Sequence, residues 1–209
     1  MCETGLSHRK WCAATRTNGL NILLGRGQSG SANNQQALCG KTANMAGKCI
    51  YLSLGSNLGD RAAKISAGIA ALETAGVRVL RQSPLYETEP VDFFTQAWFL
   101  NNVVEAETLL PPLALLHELR KIELSLGSLK LIPRGPRMLD MDILFYGDTV
   151  LHASELEIPH PRMAERRFVL VPLADLAPDF RHPVLRRTVA ELLESTTDTS
   201  LVRPVAAEK

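Results

Sequence analysis

From residue 49 onward, apolar positions change period repeatedly, and each change marks an element. Residues 49–54 (Cys-Ile-Tyr-Leu-Ser-Leu) read as a short apolar strand. Gly55-Ser56-Asn57-Leu58-Gly59 reads as a turn, and Asp60 opens a helix whose buried stripe is Ile65, Ile69 and Leu72 at i, i+4, i+7. Gly76 suits the position just past the end of that helix. Residues 77–82 alternate as a second strand, and residues 98–107 form a third. Between them, residues 83–97 read as a long loop, and loops of about 12–15 residues without structure of their own are often functional in compact domains. Pro111 or Pro112 opens a second helix, where a missing backbone donor does no harm. Its stripe is Leu115, Leu119, Ile122 and Leu126, and Gly127 ends it. A fourth strand runs from Asp140 to a tight turn at Gly147-Asp148. An extended segment from Leu156 to Met163 follows, then a short apolar helix from Glu165 to Leu173 and a last one over residues 184–193, after which the chain trails off.

The order strand, helix, strand, strand, helix, strand predicts an α+β fold with a ferredoxin-like βαββαβ core. One face of its antiparallel sheet lies under two helices and the other is left free for a site, with an extra hairpin and short C-terminal helices added. Residues 1–48 are rich in Gly, Asn, Gln, Ser and Thr without sustained period, and read as a disordered or weakly ordered tail ahead of a domain over residues 49–200. The tail carries Glu3 against Arg9, Lys10, Arg16, Arg26, Lys41 and Lys48, so an organelle-targeting peptide and a start at Met45 both stay open. Gly40-Lys41-Thr42 resembles the end of a phosphate loop, but position 35 is Gln where that motif needs Gly, and no strand precedes it. Too few residues follow position 180 for a second catalytic domain.

The 209 residues carry a formal net charge of +1, which gives no reason to expect nucleic acid or an acidic membrane surface as partner. No apolar run approaches the ~20 residues needed to span a bilayer. Cys2, Cys12, Cys39 and Cys49 form no C-x-x-C pair, so neither a zinc site nor a disulfide framework is indicated and a reducing cytoplasm is the simplest setting. The expected partners are small molecules, with the chain acting as a monomer.

Asp140 and Asp142 alternate with Leu139, Met141, Ile143 and Phe145, so the carboxylates share one strand face and the apolar side chains form the other. Two readings are open: a solvated face with ion-pair partners, or a site for one hard cation or for two about 3.5–4 Å apart. Arg134 and Arg137 flank a Gly-Pro pair just upstream, and Arg binds phosphate with a planar fork. Phe99 beside Asn101 is either a platform for a flat heterocycle or a strand entrance with a satisfied amide. Glu123 stands near the negative end of its helix, which implies a partner, either a ligand or an ion pair with Arg120 or Lys121. His160, Arg162, Arg166 and Arg167 concentrate positive charge, as a site or as a surface run.

Residues from about 48 to 180 resemble 6-hydroxymethyl-7,8-dihydropterin pyrophosphokinase. The resemblance is carried by Leu54-Gly55-Ser56-Asn57-Leu58-Gly59, Tyr86-Glu87-Thr88, Phe99-Leu100-Asn101, Ile122-Glu123, Gly135-Pro136-Arg137-Met138-Leu139-Asp140-Met141-Asp142-Ile143-Leu144, Ile158-Pro159-His160-Pro161 and Arg166-Arg167-Phe168-Val169-Leu170, in that order. It implies transfer of a pyrophosphoryl group from ATP, as co-substrate, to the pterin hydroxymethyl group, giving AMP. It further implies that Asp140 and Asp142 hold two Mg²⁺ ions and that Phe99 and Phe168 sandwich the pterin. Asn101 would read the pterin edge with backbone groups around Thr88 and Val91. Glu123, Lys130, Arg134, Arg137, His160 and Arg166 would bind ATP, with Arg137 nearest the transferred phosphates. The chain departs from the resemblance at Ser128, where an Arg is usual, in a loop to Gly135 about one residue shorter, at Arg134, where an aromatic is frequent, and at Glu89, where an apolar residue is frequent. A ferredoxin-like sheet with exposed aromatics is also a platform for a nucleotide- or RNA-binding module without catalysis, though that reading lacks the expected basic charge.

Overall fold

The computed structural model describes residues 47–91, 96–128 and 135–206. Its elements are β1 (Lys48–Ser56), α1 (Arg61–Thr74), β2 (Val77–Gln82), β3 (Tyr86–Thr88), β4 (Phe99–Thr108), α2 (Pro112–Ser125), β5 (Asp140–Tyr146), β6 (Leu151–His152), β7 (Glu157–Ile158), a single 3-10 turn (Met163–Glu165), α3 (Arg167–Leu176), α4 (Val189–Ser195) and β8 (Val202–Pro204). The main sheet runs β5-β1-β4-β3-β8 with β2 also on β4, all antiparallel, and β6 and β7 make the extra hairpin. Among β1, β2, β4 and β5 the spatial order is β5-β1-β4-β2, the βαββαβ arrangement expected from the sequence.

Local chemistry sets the element ends. Asp60 caps α1 by accepting the Ala63 N–H at 3.0 Å, and Pro112 starts α2. Ile65 and Leu72 of α1, with Leu115, Leu119 and Ile122 of α2, bury against Ile50, Leu52, Leu54, Val104, Met141 and Ile143 of the sheet. Burying such a side chain contributes about 1.5–3 kcal/mol. The tail expected over residues 1–48 lies outside the described residues except at its last positions, where Lys48 already belongs to β1.

The structure corrects the sequence reading in four places. Residues 83–97 are not all loop, because Tyr86–Thr88 forms β3, three residues too few to show a period. The apolar face of β5 is broken, because Tyr51 pairs with Phe145 while Leu52 pairs with Ile143, so Leu144 is an extra residue in a β-bulge. Phe145 consequently turns away from Ile143 and packs its ring edge-on to Tyr51, 6.2 Å between centroids. The second sheet face is not open along its length: α3 and α4 cover Tyr51, Val103, Leu144 and Phe145 with Val169, Leu170, Leu173, Val189 and Leu192. The open platform that an RNA-binding reading needs is therefore half covered. Finally, the chain beyond residue 200 does not trail off, since β8 extends the sheet at β3.

Candidate functional site

The end of the second face that α3 and α4 leave open is built by cross-strand register. Asp140 of β5, Gly55 of β1 and Asn101 of β4 are direct neighbours, and so are Asp142, Ser53 and Val103. Three strands at about 4.8 Å spacing put the Asp140 and Asn101 backbones about 10 Å apart. Across that span Gly55 contributes no side chain, and a Cβ there would stand 2.4 Å from Asn101 Oδ1. The gap is the floor of a cleft of about 680 Å³ lined by Thr88, Val91, Phe99, Asn101, Arg137, Asp140, Asp142, Arg166 and Phe168, among others. The sequence-predicted residues Glu123 and His160 lie instead in an adjoining cleft of about 860 Å³, which also contains Asp142. Asp142 therefore lies where the two clefts meet. Lys130 and Arg134 fall outside the described residues.

On the β4 side, Asn101 is buried and its Nδ2 donates to Thr88 Oγ1 at 2.7 Å, which fixes the amide with its oxygen toward Gly55. Phe99 pairs with Thr88 in the β3–β4 register. Phe168, at the start of α3, lies on the same cleft, with the Arg166 guanidinium 5.5 Å from its ring centroid. On the β5 side, Arg137 pairs with Asp140. The positions flanking Asp140 are held from α2 and the turn after it: Glu123 Oε1 accepts the Met141 N–H at 2.7 Å, and Ser128 Oγ donates to the Leu139 carbonyl. β5 is an edge strand, and these two side chains occupy backbone groups on its outer edge.

This resolves the position of Glu123. Arg120 pairs with Glu155 and Lys121 with Glu118, while Glu123 accepts a backbone amide of β5, which offsets the unfavourable helix end. Ser128, which replaces the Arg of the resemblance, is buried and hydrogen-bonded. His160 does not add to the positive charge that the sequence suggested. Burial, aided by the Arg166 charge, pushes its pKa down to about 4, so the ring is neutral near pH 7. Its Nδ1 accepts the Arg162 N–H at 3.2 Å, which leaves Nε2 as the donor.

Sequence reasoning assigned no role to Asn57. It is buried and ties together both loops that rim the cleft: Nδ2 donates to Gln96 Oε1 at 3.1 Å and to the Ala97 carbonyl at 3.2 Å, while Oδ1 accepts the Arg137 N–H at 2.7 Å. An Asn in a strand-to-helix turn was the available signal, but turns use Asn for their own backbone often enough to hide it.

Asp140 and Asp142 fit a hard divalent cation. They are oxygen donors on one face of one strand and they line one cleft. Among the described residues no group of three or more His, Cys, Asp or Glu is gathered to hold a metal by itself. Two carboxylates alone suit an ion completed by water and phosphate oxygens, the habit of Mg²⁺ at nucleotide sites. No helix among the described residues is long and apolar enough to cross a membrane.

Comparison with known proteins gives a consistent result. The family model for 7,8-dihydro-6-hydroxymethylpterin-pyrophosphokinase (HPPK) matches residues 51–178. A Pneumocystis carinii folic acid synthesis protein fol1 is 39% identical over 198 residues, 94% of this chain and 26% of that protein, so the chain spans about a quarter of that relative. The Pseudomonas aeruginosa 2-amino-4-hydroxy-6-hydroxymethyldihydropteridine pyrophosphokinase is 44% identical over 135 residues, 64% of this chain and 83% of that protein. The wild-type Plasmodium falciparum HPPK-DHPS structure superposes with a TM-score of 0.58 at 18% identity, covering 71% of this chain and 43% of that one, which supports the fold alone.

Proposed function

The chain belongs to the 7,8-dihydro-6-hydroxymethylpterin-pyrophosphokinase family, and from that premise we propose that it transfers the β,γ-diphosphate of ATP to the hydroxymethyl oxygen of 6-hydroxymethyl-7,8-dihydropterin, a step of folate biosynthesis. One observation carries the reading: the β5-β1-β4 register sets Asp140 and Asp142 beside a slot walled by Phe99 and Phe168, with the missing side chain of Gly55 between.

In this reading the pterin ring stacks between Phe99 and Phe168, and Asn101, with backbone groups around Thr88 and Val91, satisfies its polar edge. Stacking plus hydrogen bonds hold the hydroxymethyl oxygen near attack distance, which contributes by positioning and not by covalent chemistry. The oxygen bonds to the β-phosphorus as its bond to the α,β-bridging oxygen breaks. AMP leaves with the bridging oxygen, and the hydroxyl proton is released to the buffer. Arg137 and Arg166 place positive charge beside the phosphates, where charge spreads over the equatorial oxygens. His160 and Glu123, in the adjoining cleft, lie on the nucleotide side, and the resemblance assigns ATP binding to Lys130 and Arg134 as well. Asp140 and Asp142 would hold Mg²⁺, two ions in this reading, which would supply positive charge to the phosphate oxygens. Asn57 keeps the two rim loops in register so that the cleft excludes water.

The reading assigns the activity to the domain over residues 49–200 with the strand that follows, acting as a monomer on small molecules in the cytoplasm. It is tested by incubating the protein with Mg²⁺, ATP and hydroxymethyldihydropterin. One AMP and one pterin diphosphate should form per ATP consumed. ADP formation, or AMP formation independent of the pterin, would contradict it.

A further inference from the structure

The catalytic reading leaves the segment from Asp198 to Val205 without a task, yet this segment touches both walls of the acceptor slot. On the β3 side, β8 pairs Thr88 with Val202, Glu87 with Arg203 and Tyr86 with Pro204. The Glu89 N–H donates to the Leu201 carbonyl at 3.1 Å, and the Leu201 N–H donates to Glu89 Oε2 at 2.8 Å. Arg203 lies over the Trp98 ring, 5.2 Å from its centroid, one residue before Phe99. On the α3 side, Asp198 Oδ2 accepts the N–H of Arg167 at 2.7 Å, and Oδ1 accepts the Ser200 N–H at 2.9 Å. Arg166 supplies no side-chain cap for α3, so a carboxylate from 31 residues downstream holds the helix start that carries Phe168.

We propose that Asp198 to Pro204 is a strap that sets the spacing between Phe168 and the Thr88–Phe99 wall, with Asp198 and Glu89 as positioning residues for the flat acceptor. The proposal rests on the reading of that slot as the pterin site. It also gives Glu89, unusual for an apolar position of the resemblance, a role as the strap's anchor on the β3 side. Each end is held by a carboxylate accepting a backbone N–H, a charge-assisted bond stronger than a neutral one. Loss of either end should leave the segment in place on its other attachment but let one wall drift.

The experiment uses the full chain. Asp198→Ala should raise the KM for hydroxymethyldihydropterin about tenfold, the effect of one charged hydrogen bond, with the KM for ATP changed less than twofold. Asp198→Asn, which keeps one acceptor, should fall between, and Glu89→Ala should shift the same constant. A general structural defect would instead lower the active fraction and leave both KM values alone. If Asp198→Ala does not fold, Glu89→Ala decides. Phe168→Ala separates the two levels of the argument. If it raises the acceptor KM while Asp198→Ala and Glu89→Ala do not, the strap is refuted and the slot stands. If Phe168→Ala also leaves that constant unchanged, the slot reading fails and the strap with it.

Discussion

Gly55 and Asn101 face each other across β1 and β4 so closely that a Cβ on Gly55 would stand 2.4 Å from Asn101 Oδ1. Backbone freedom is not the reason for this glycine, because no positive φ is found there. Space is the reason. Gly55→Ala should displace the Asn101 amide from its bond to Thr88 and weaken the acceptor by roughly a hundredfold, the cost of about 3 kcal/mol in a mispaired polar site. Affinity for ATP should change little. Titration of each substrate separately checks the split, and an equal loss for both would mean that Asn101 does not serve the acceptor.

Ser128 is 2% exposed and its hydroxyl bonds the Leu139 carbonyl, next to Asp140. Replacing it by Arg to restore the basic residue of the resemblance should therefore fail. Ser128→Arg should destabilise the fold by about 3 kcal/mol through overpacking and should not raise turnover. Ser128→Ala should cost about 1 kcal/mol. Urea unfolding with parallel rate measurements distinguishes these outcomes, and faster turnover in Ser128→Arg would show that the loop lacks charge after all.

His160 links stability to pH. Its folded pKa of about 4 lies below the ordinary 6.5, so the unfolded chain binds a proton that the folded chain refuses. The contribution is present above pH 6.5 and is lost as pH falls toward 4. Between pH 7 and pH 5 this one group should remove about 2 kcal/mol, and His182, also shifted downward by burial, acts in the same direction. His160→Gln should flatten the pH dependence of unfolding by that amount, and a variant with an unchanged slope would place the linkage elsewhere.

Much of the fold was legible because period and punctuation agreed: Asp60, Gly76, Pro112 and Gly127 each mark an end that the apolar stripe also marks. The bulge at Leu144 was not legible, since an apolar residue on either side of it satisfies both faces of a buried strand. β3 and β8 were hidden for a different reason. Each is three residues long and exists through pairing with a distant partner, which local sequence does not encode. Within the site, Phe99, Asn101, Arg137, Asp140 and Asp142 stood out by residue type and spacing as candidates, the resemblance proposed their roles, and the structure brings them to one cleft. Gly55, Asn57, Ser128 and Asp198 were not, because their importance lies in what they stand against.

The central claim is that Asp140 and Asp142 hold divalent ions against the triphosphate at the edge of an aromatic slot. It is tested most directly by Asp142→Ala, assayed for pterin-dependent AMP formation across a Mg²⁺ titration, with Mn²⁺ bound in the presence of a non-hydrolysable ATP analogue counted by electron paramagnetic resonance. The account predicts a loss on the order of 10³ in turnover, equivalent to several kcal/mol of lost charge stabilisation, together with fewer Mn²⁺ bound. Near-normal turnover with undiminished metal binding would contradict it.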